Sequence, residues 1–472
     1  MLIGREKEIE ILDAAVRDDR SHFIAIYGRR RVGKTYLIRE VYANRFTFQH
    51  AGIYAGSLKD QLESFVSTVE LAGITYTNAP TNWIRAFDGL KRLILQSKEA
   101  RKVIFLDELS WMDTPKSGFL AALENFWNGF ASARTDVILI VCASATSWML
   151  SEIVHNKGGL YHRLTEQIHL KPLSIKECEN LVQKKGLVLN RDQILQYYMI
   201  FGGIPYYWEL LKKGYSLNQN IDRILFSSDA PLKDEYNYLF ASIFKKPEVY
   251  TRIAKVLCSK KAGMTREEII DAAGLSNSGD LTRRLEELES CGFIRSYRPF
   301  GRKKRNTIYQ LIDAFTLFYY SFLKDNPTDE HFWSNQVNTP RMNTWKGLAF
   351  ERVCLTHIQE IKSALGIAGV LTEEYSWYCK ADPDKGIHGS QIDLLIARAD
   401  QVINLCEMKY SATEYTITEK TDLDIRRKMQ DFTTSTGARQ AIHPTLITTY
   451  GLVENEYANT IQSVITLKEL FS

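Results

Sequence analysis

The sequence predicts an α/β fold opened by a parallel sheet, and three observations carry that expectation. Short apolar runs at Phe23–Tyr27, Val103–Leu106 and Val137–Ala143 read as buried parallel strands, because a strand covered on both faces loses the alternation of a half-exposed one. The first run leads directly into a glycine loop and then a helical pattern. Near the C-terminus, Gln391–Ala397 and Val402–Lys409 are two further apolar runs joined by a turn.

The 472 residues correspond to about three or four domains. With 45% hydrophobic and 25% charged residues the chain falls in the ordinary globular range. A net charge of +4 excludes a polycation, so any nucleic-acid contact has to come from a local basic patch. The seven cysteines stand singly with no CxxC pair, which argues against a zinc ribbon or a disulfide framework. The opening MLIGREKEIEIL is too charged for a secretory signal. The apolar runs are far shorter than the ~20 residues of a membrane span. A soluble, cytoplasmic protein with no membrane partner is expected.

The first strand ends at Gly28. The segment Gly28-Arg29-Arg30-Arg31-Val32-Gly33-Lys34-Thr35 fits GxxxxGK[ST] without a mismatch, and Leu37, Ile38 and Val41 continue at helical spacing. Strand, loop and helix form the setting in which backbone N–H groups and a helix N-terminus face phosphate oxygens. Gly28, Arg31, Val32, Gly33, Lys34, Thr35 and Tyr36 are therefore the expected nucleotide-binding residues. Lys34 should reach the β- and γ-phosphates, and the Thr35 hydroxyl should ligate Mg²⁺. The second strand ends in Asp107-Glu108. Asp107 is expected to hold Mg²⁺, and Glu108 to polarise the attacking water. The alternative for Glu108 is a cap on the following turn. Ser144, at the tip of the third strand, either senses the γ-phosphate region or is a simple strand-end hydroxyl.

The opening Ile3-Gly4-Arg5-Glu6-Lys7-Glu8, YGRRRVGKT, FLDEL and Phe201-Gly202-Gly203-Ile204-Pro205 together resemble an archaeal and bacterial AAA+/STAND-type ATPase family. The resemblance implies ATP as ligand, with Gly4–Glu6 near the adenine and Asp107-Glu108 as the Walker B pair. It also implies that Gly202, Gly203 and Pro205 lie in a helical lid. Arg163 stands where such proteins often place an arginine on the γ-phosphate; an ordinary surface arginine is the alternative. No arginine of the sensor-2 sort follows Gly203. Modules of this kind often need a neighbour's arginine, which implies a homo-oligomer.

From about Leu173 to Leu239 the apolar spacing is helical, and Tyr197, Tyr198, Phe201, Tyr206, Tyr207 and Trp208 are expected in a core. Thr265-Arg266-Glu267-Glu268 is a capping box that starts a helix. Leu281, Leu285 and Leu288 give a second helix its apolar face. Phe293–Arg295 and Thr307–Tyr309 read as strands around the loop 299–306, completing a winged-helix pattern. Arg295, Arg298, Arg302, Lys303, Lys304 and Arg305 make a basic wing without an acid, suited to DNA phosphates. The alternative is a solvated wing or a docking surface.

Asn326–Asn343 reads as a linker, and a helix carrying Glu351 is expected from near Trp345. If 399–401 form the turn of the C-terminal hairpin, the register sets Asp393 opposite Glu407, with Lys409 on the same face as Glu407. Two facing carboxylates repel unless a cation lies between them. This Glu…Asp…Glu-x-Lys series resembles the PD-(D/E)XK nuclease family, with Ile392-Asp393 in place of the usual Pro-Asp. The resemblance implies that Glu351, Asp393 and Glu407 bind Mg²⁺ or Mn²⁺ and that Lys409 orients water. The alternative is a surface ion pair on a fold that only binds or scaffolds.

The expected order is thus a P-loop NTPase core over 1–172, a helical lid over 173–240, a winged helix over 241–323 and a restriction-endonuclease-like α/β domain over 324–472. Two functions fit it. One is a Mg²⁺-dependent ATPase coupling nucleotide state to DNA binding and cleavage. The other is a nucleotide-dependent regulatory switch with a non-cleaving C-terminal domain.

Overall fold

A computed structural model describes every residue except Met1, Asn44, Lys157, Lys245, Lys303–Arg305 and Asn338. The chain forms two compact units: Met1–Pro172 with Ala241–Lys245, and Leu173–Phe240 with Lys246–Ser472.

The first unit is built on strands β1 (His22–Tyr27), β2 (Phe48–Ala51), β3 (Lys102–Asp107), β4 (Val137–Ala143) and β5 (Glu166–His169), in the order β2-β3-β4-β1-β5. Every neighbouring pair is parallel. All seven residues of β4 are buried, as its unbroken apolar run predicts. Successive side chains of β1 point to opposite faces. Phe23 and Ala25 join one core with Phe65, Trp83, Phe87 and Phe126, while Ile24 and Ile26 join the other with Leu12, Leu37 and Ile38. Because β4 lies between β1 and β3 and all three are parallel, the loop after β1, the acids after β3 and Ser144 after β4 gather at the C-terminal ends of the strands.

The second unit begins with helices. Ser174 and Glu177 form a capping box for the helix Ile175–Lys184, and Asn190 and Gln193 do the same for Arg191–Phe201. Tyr197, Phe201, Tyr207 and Trp208 are core residues, and Tyr198 is also buried; Tyr206 departs from the expectation at 39% exposed. Residues 173–240, expected as a lid on the ATPase core, cluster here with the C-terminal part of the chain.

The capping box at Thr265 and Glu268 starts the helix Arg266–Ala273, and Gly274 ends it in the left-handed region. The helix Gly279–Ser290 follows, with Leu281, Leu285 and Leu288 buried. Strands β6 (Met264–Thr265), β7 (Ile294–Tyr297) and β8 (Ile308–Leu311) make an antiparallel sheet of order β6-β8-β7. The Lys303–Arg305 part of the basic stretch lies outside the described residues.

The expected linker is shorter and better packed than its composition suggests. Phe332–Asn335 is helical with Trp333 buried, and Asp222 accepts from Trp333 N at 2.7 Å. The acid-bearing helix starts at Pro340, five residues before the expected Trp345, because Thr339 caps it by accepting from Met342 N.

The C-terminal sheet contains β9 (Thr372–Cys379), β10 (Ser390–Arg398), β11 (Val402–Lys409), β12 (Ala441–Thr448) and β13 (Ser463–Ile465), in the order β13-β12-β11-β10-β9. Strands β9 and β11 each run antiparallel to β10; β12 and β13 continue parallel to β11. The helix Glu419–Thr436 supplies the connection that a parallel β11–β12 pair requires. Phe300 packs with Trp377, Ile392 and Phe432 of this layer, and its N–H donates to Ser376 O at 2.8 Å.

Candidate functional site

In the first unit the phosphate loop is held by residues on both sides of it. Gly28 has φ 148°, and a Cβ there would lie 2.3 Å from Leu170 O, so the position demands glycine. Gly33, at φ 97°, precedes the helix Lys34–Val41. Arg31 is also in the left-handed region, at φ 66°. Val32 is buried, whereas Tyr36 is 53% exposed. Sequence reasoning set Arg5 beside the adenine with Gly4 and Glu6. Its buried guanidinium donates to Val32 O at 3.4 Å and Lys171 O at 2.9 Å, bracing the loop.

Lys34 is 5% exposed, and its ammonium donates to Gly28 O at 2.9 Å, Arg29 O at 3.2 Å and Ser144 Oγ at 3.1 Å. The Thr35 hydroxyl donates to Asp107 Oδ2 at 2.6 Å. Burial pushes the Asp107 carboxyl up, against the lowering effect of Thr35; Glu108 beside it raises it further. A desolvated carboxylate and a hydroxyl in contact are the hard oxygen donors that Mg²⁺ takes, so the pair fits that ion.

Glu108 stands just before the short helix after β3 at φ 48°, a conformation that costs a non-glycine residue energy, and its side chain makes no capping hydrogen bond there. This turn directs the carboxylate to β4. Glu108 Oε1 accepts from Ser144 Oγ at 2.5 Å, and Oε2 accepts from Ser144 N at 3.0 Å. Ser144 therefore connects the loop lysine to the acid. Arg163 lies at an exposed turn before β5, and among the described residues its side chain has no hydrogen-bond or ion-pair partner.

In the second unit Glu351, Asp393, Glu407 and Lys409 line one cavity of about 330 Å³. The β10–β11 register pairs Leu394 with Cys406 and Leu395 with Leu405, so one step further Asp393 faces Glu407. The pairing of β10 with β9 shifts between Ile392 and Leu395, an irregularity that re-aims the Asp393 segment. Each acid meets a lysine. Lys261 Nζ lies 2.6 Å from Glu351 Oε1 and 3.9 Å from Asp393 Oδ2. Lys409 and Lys428 hold the two oxygens of Glu407 at 2.7 and 2.8 Å.

Burial raises the Glu407 carboxyl, but Lys428 and Lys409 outweigh it and the net shift is down. Glu351 is shifted up, by burial first and by Asp393 second. Glu351 Oε2 is buried without a hydrogen-bond partner. Among the described residues no three His, Cys, Asp or Glu side chains are gathered closely enough to hold a metal ion. The cation expected at Glu351, Asp393 and Glu407 thus requires these acids to leave their lysines. Lys261 and Lys428 escaped sequence reasoning. They stand 90 and 21 residues from their partners, and no local pattern links them.

Within the described part of the basic stretch, the three arginines differ in their surroundings. Arg295 Nε donates to Gln310 Oε1 at 2.7 Å, and its guanidinium covers the Tyr297 ring at 4.6 Å. Burial lowers its pKa to about 10. Arg295 is thus engaged by Gln310 and Tyr297, while Arg298 and Arg302 are exposed. No helix among the described residues is long and apolar enough to cross a membrane.

The family described as an ATPase domain predominantly from Archaea matches residues 2–211. An uncharacterized protein of Methanocaldococcus jannaschii is 25% identical over 435 residues, covering 91% of this chain and 92% of its own. An uncharacterized ATP-binding protein of the same organism is 40% identical over 45 residues, 10% of this chain and 76% of its own. Among solved structures, a Walker-type ATPase of Pyrococcus abyssi is similar at 16% identity and a TM-score of 0.48, covering 67% of this chain and 95% of its own. The match over residues 2–211 takes in the loop, the acid pair and Ser144, and likens this part of the chain to that ATPase domain.

Proposed function

We propose that the chain hydrolyses Mg²⁺-bound ATP at the phosphate loop and acts on DNA through residues 246–472, cutting a phosphodiester at the acid pocket. In the loop Lys34 would offset phosphate charge, Thr35 and Asp107 would hold Mg²⁺, Glu108 would orient water and Ser144 would sense the γ-phosphate. The exposure of Arg163 supports an assembly in which it serves a second copy's nucleotide.

The observation that carries the cleavage reading is the pocket itself. The helix Pro340–Thr356 and strands β10 and β11 bring Glu351, Asp393, Glu407 and Lys409 to one cavity. A divalent cation bound there would polarise the scissile phosphate and offset its developing charge. Lys409 would position the attacking water. The two helices and hairpin of residues 266–311, with Arg298 and Arg302 exposed, support DNA as the partner.

A second reading has its own support. The lysine partners of Glu351 and Glu407 suit a domain that binds without cutting, in a nucleotide-dependent switch. A supercoiled-plasmid assay with Mg²⁺ or Mn²⁺ separates the two. Cleavage predicts nicking by the wild type that falls at least about 100-fold in Asp393→Ala and Glu407→Ala. Equal nicking by all three, or none by any, favours the switch.

A further inference from the structure

We infer that Lys261 is a latch on the acid pocket: its ammonium and a divalent cation are alternative occupants of the place between Glu351 and Asp393. The inference rests on the metal-dependent reading of that pocket and adds how the site is regulated. Lys261 comes from the turn between the helix Pro247–Cys258 and β6, not from the helix and strand that bear Glu351 and Asp393.

The turn's backbone is fixed. Lys261 O accepts from Arg352 Nη2 at 2.6 Å and from Gln310 Nε2 at 2.9 Å. Gly263 follows at φ 81°, where a Cβ would lie 2.5 Å from Tyr309 O. Arg352 adjoins Glu351 on the same helix, so one residue anchors the turn beside the acid that its lysine meets. The Lys261 side chain is 40% exposed and sits at the rim of the pocket. It can swing outward while the turn stays in place.

The ammonium satisfies the acids incompletely. It reaches Glu351 Oε1 at 2.6 Å but leaves Oε2 buried without a partner, on a residue only 8% exposed. A buried unsatisfied oxygen is costly. One positive charge also faces two carboxylates, whereas a divalent cation would offset both and would accept oxygens on a shorter radius. Displaced from Glu351, the lysine would be free at the rim to pair with a phosphodiester. Metal loading and backbone binding would then favour each other.

Mn²⁺ binding to the full chain without nucleotide tests the latch, counting the C-terminal site as the Mn²⁺ lost on Asp393→Asn. Lys261→Met should tighten that site about tenfold or more, and Lys261→Arg should stay near wild type. An Asp393-dependent site that Lys261→Met leaves no tighter overturns the latch and spares the metal site. No Asp393-dependent Mn²⁺ in either protein overturns the metal site, and the latch with it. Should Lys261→Met fail to fold, acetylation of wild-type Lys261, read by mass spectrometry, supplies the answer. Mn²⁺ should raise its rate severalfold, and an unchanged rate overturns the proposal.

Discussion

The acid and lysine clusters of the two candidate sites are wired differently. In the first unit Lys34 donates to backbone carbonyls and a serine hydroxyl, and Asp107 accepts from the neutral Thr35. In the second unit lysines hold Glu351 and Glu407 directly. A carboxylate bonded to a hydroxyl can take a cation without breaking an ion pair, and a carboxylate bonded to an ammonium cannot. The lesson is that acids and lysines alone do not define readiness. The loop is arranged to receive a charged ligand, while the pocket must first exchange partners.

The largest expected effect tests the loop half of that contrast. Lys34→Ala should reduce ATP turnover by about 10²–10³ or more, measured by phosphate release, because a preorganised donor to developing charge is removed. Full Mg²⁺-dependent turnover in that variant would move the site elsewhere. Glu108→Gln comes next. It should lower turnover by about 10²-fold or more while leaving nucleotide affinity within a few-fold, since the amide keeps the shape but loses the base. Equal losses in affinity and turnover would make Glu108 a structural cap.

Two smaller effects concern the scaffold. Gly28→Ala should destabilise the first unit by about 3 kcal/mol in a thermal or denaturant melt, because its methyl group meets Leu170 O. An unchanged melt would mean that the loop and Leu170 can separate. Asp136→Asn should cost about 1 kcal/mol at neutral pH, after discounting for solvent screening. Arg134, against some desolvation and with help from Lys102, holds Asp136 down to about 2 from 3.8. A depressed carboxyl contributes fully above its unfolded pKa, so the difference between variant and wild type should persist above about pH 4. It should fade as the pH falls through about 2.

The loop, the acid pair and the buried strands were legible because each is local. A glycine loop between a strand and a helix, or acids at the end of an apolar run, need no distant partner to be recognised. The C-terminal register was legible by arithmetic, since a short turn fixes which residues face each other. Arg5, Lys261 and Lys428 were not legible, because their roles exist only after remote segments meet. The partner of Arg295 was hidden for the same reason: a run of basic residues gives no sign that one guanidinium is engaged by Gln310. Composition also overstated the looseness of 326–343, where Trp333 and a threonine cap impose order.

Phe300 has a consequence for how such a chain could be rearranged by evolution. Its ring belongs to the core formed by Trp377, Ile392 and Phe432, although it stands on the hairpin between β7 and β8. A crossover that exchanged the last five strands for another family's domain would strand an aromatic ring in water and strip the recipient sheet of a core member. The hairpin and the sheet are therefore expected to be inherited together, as one cassette instead of two.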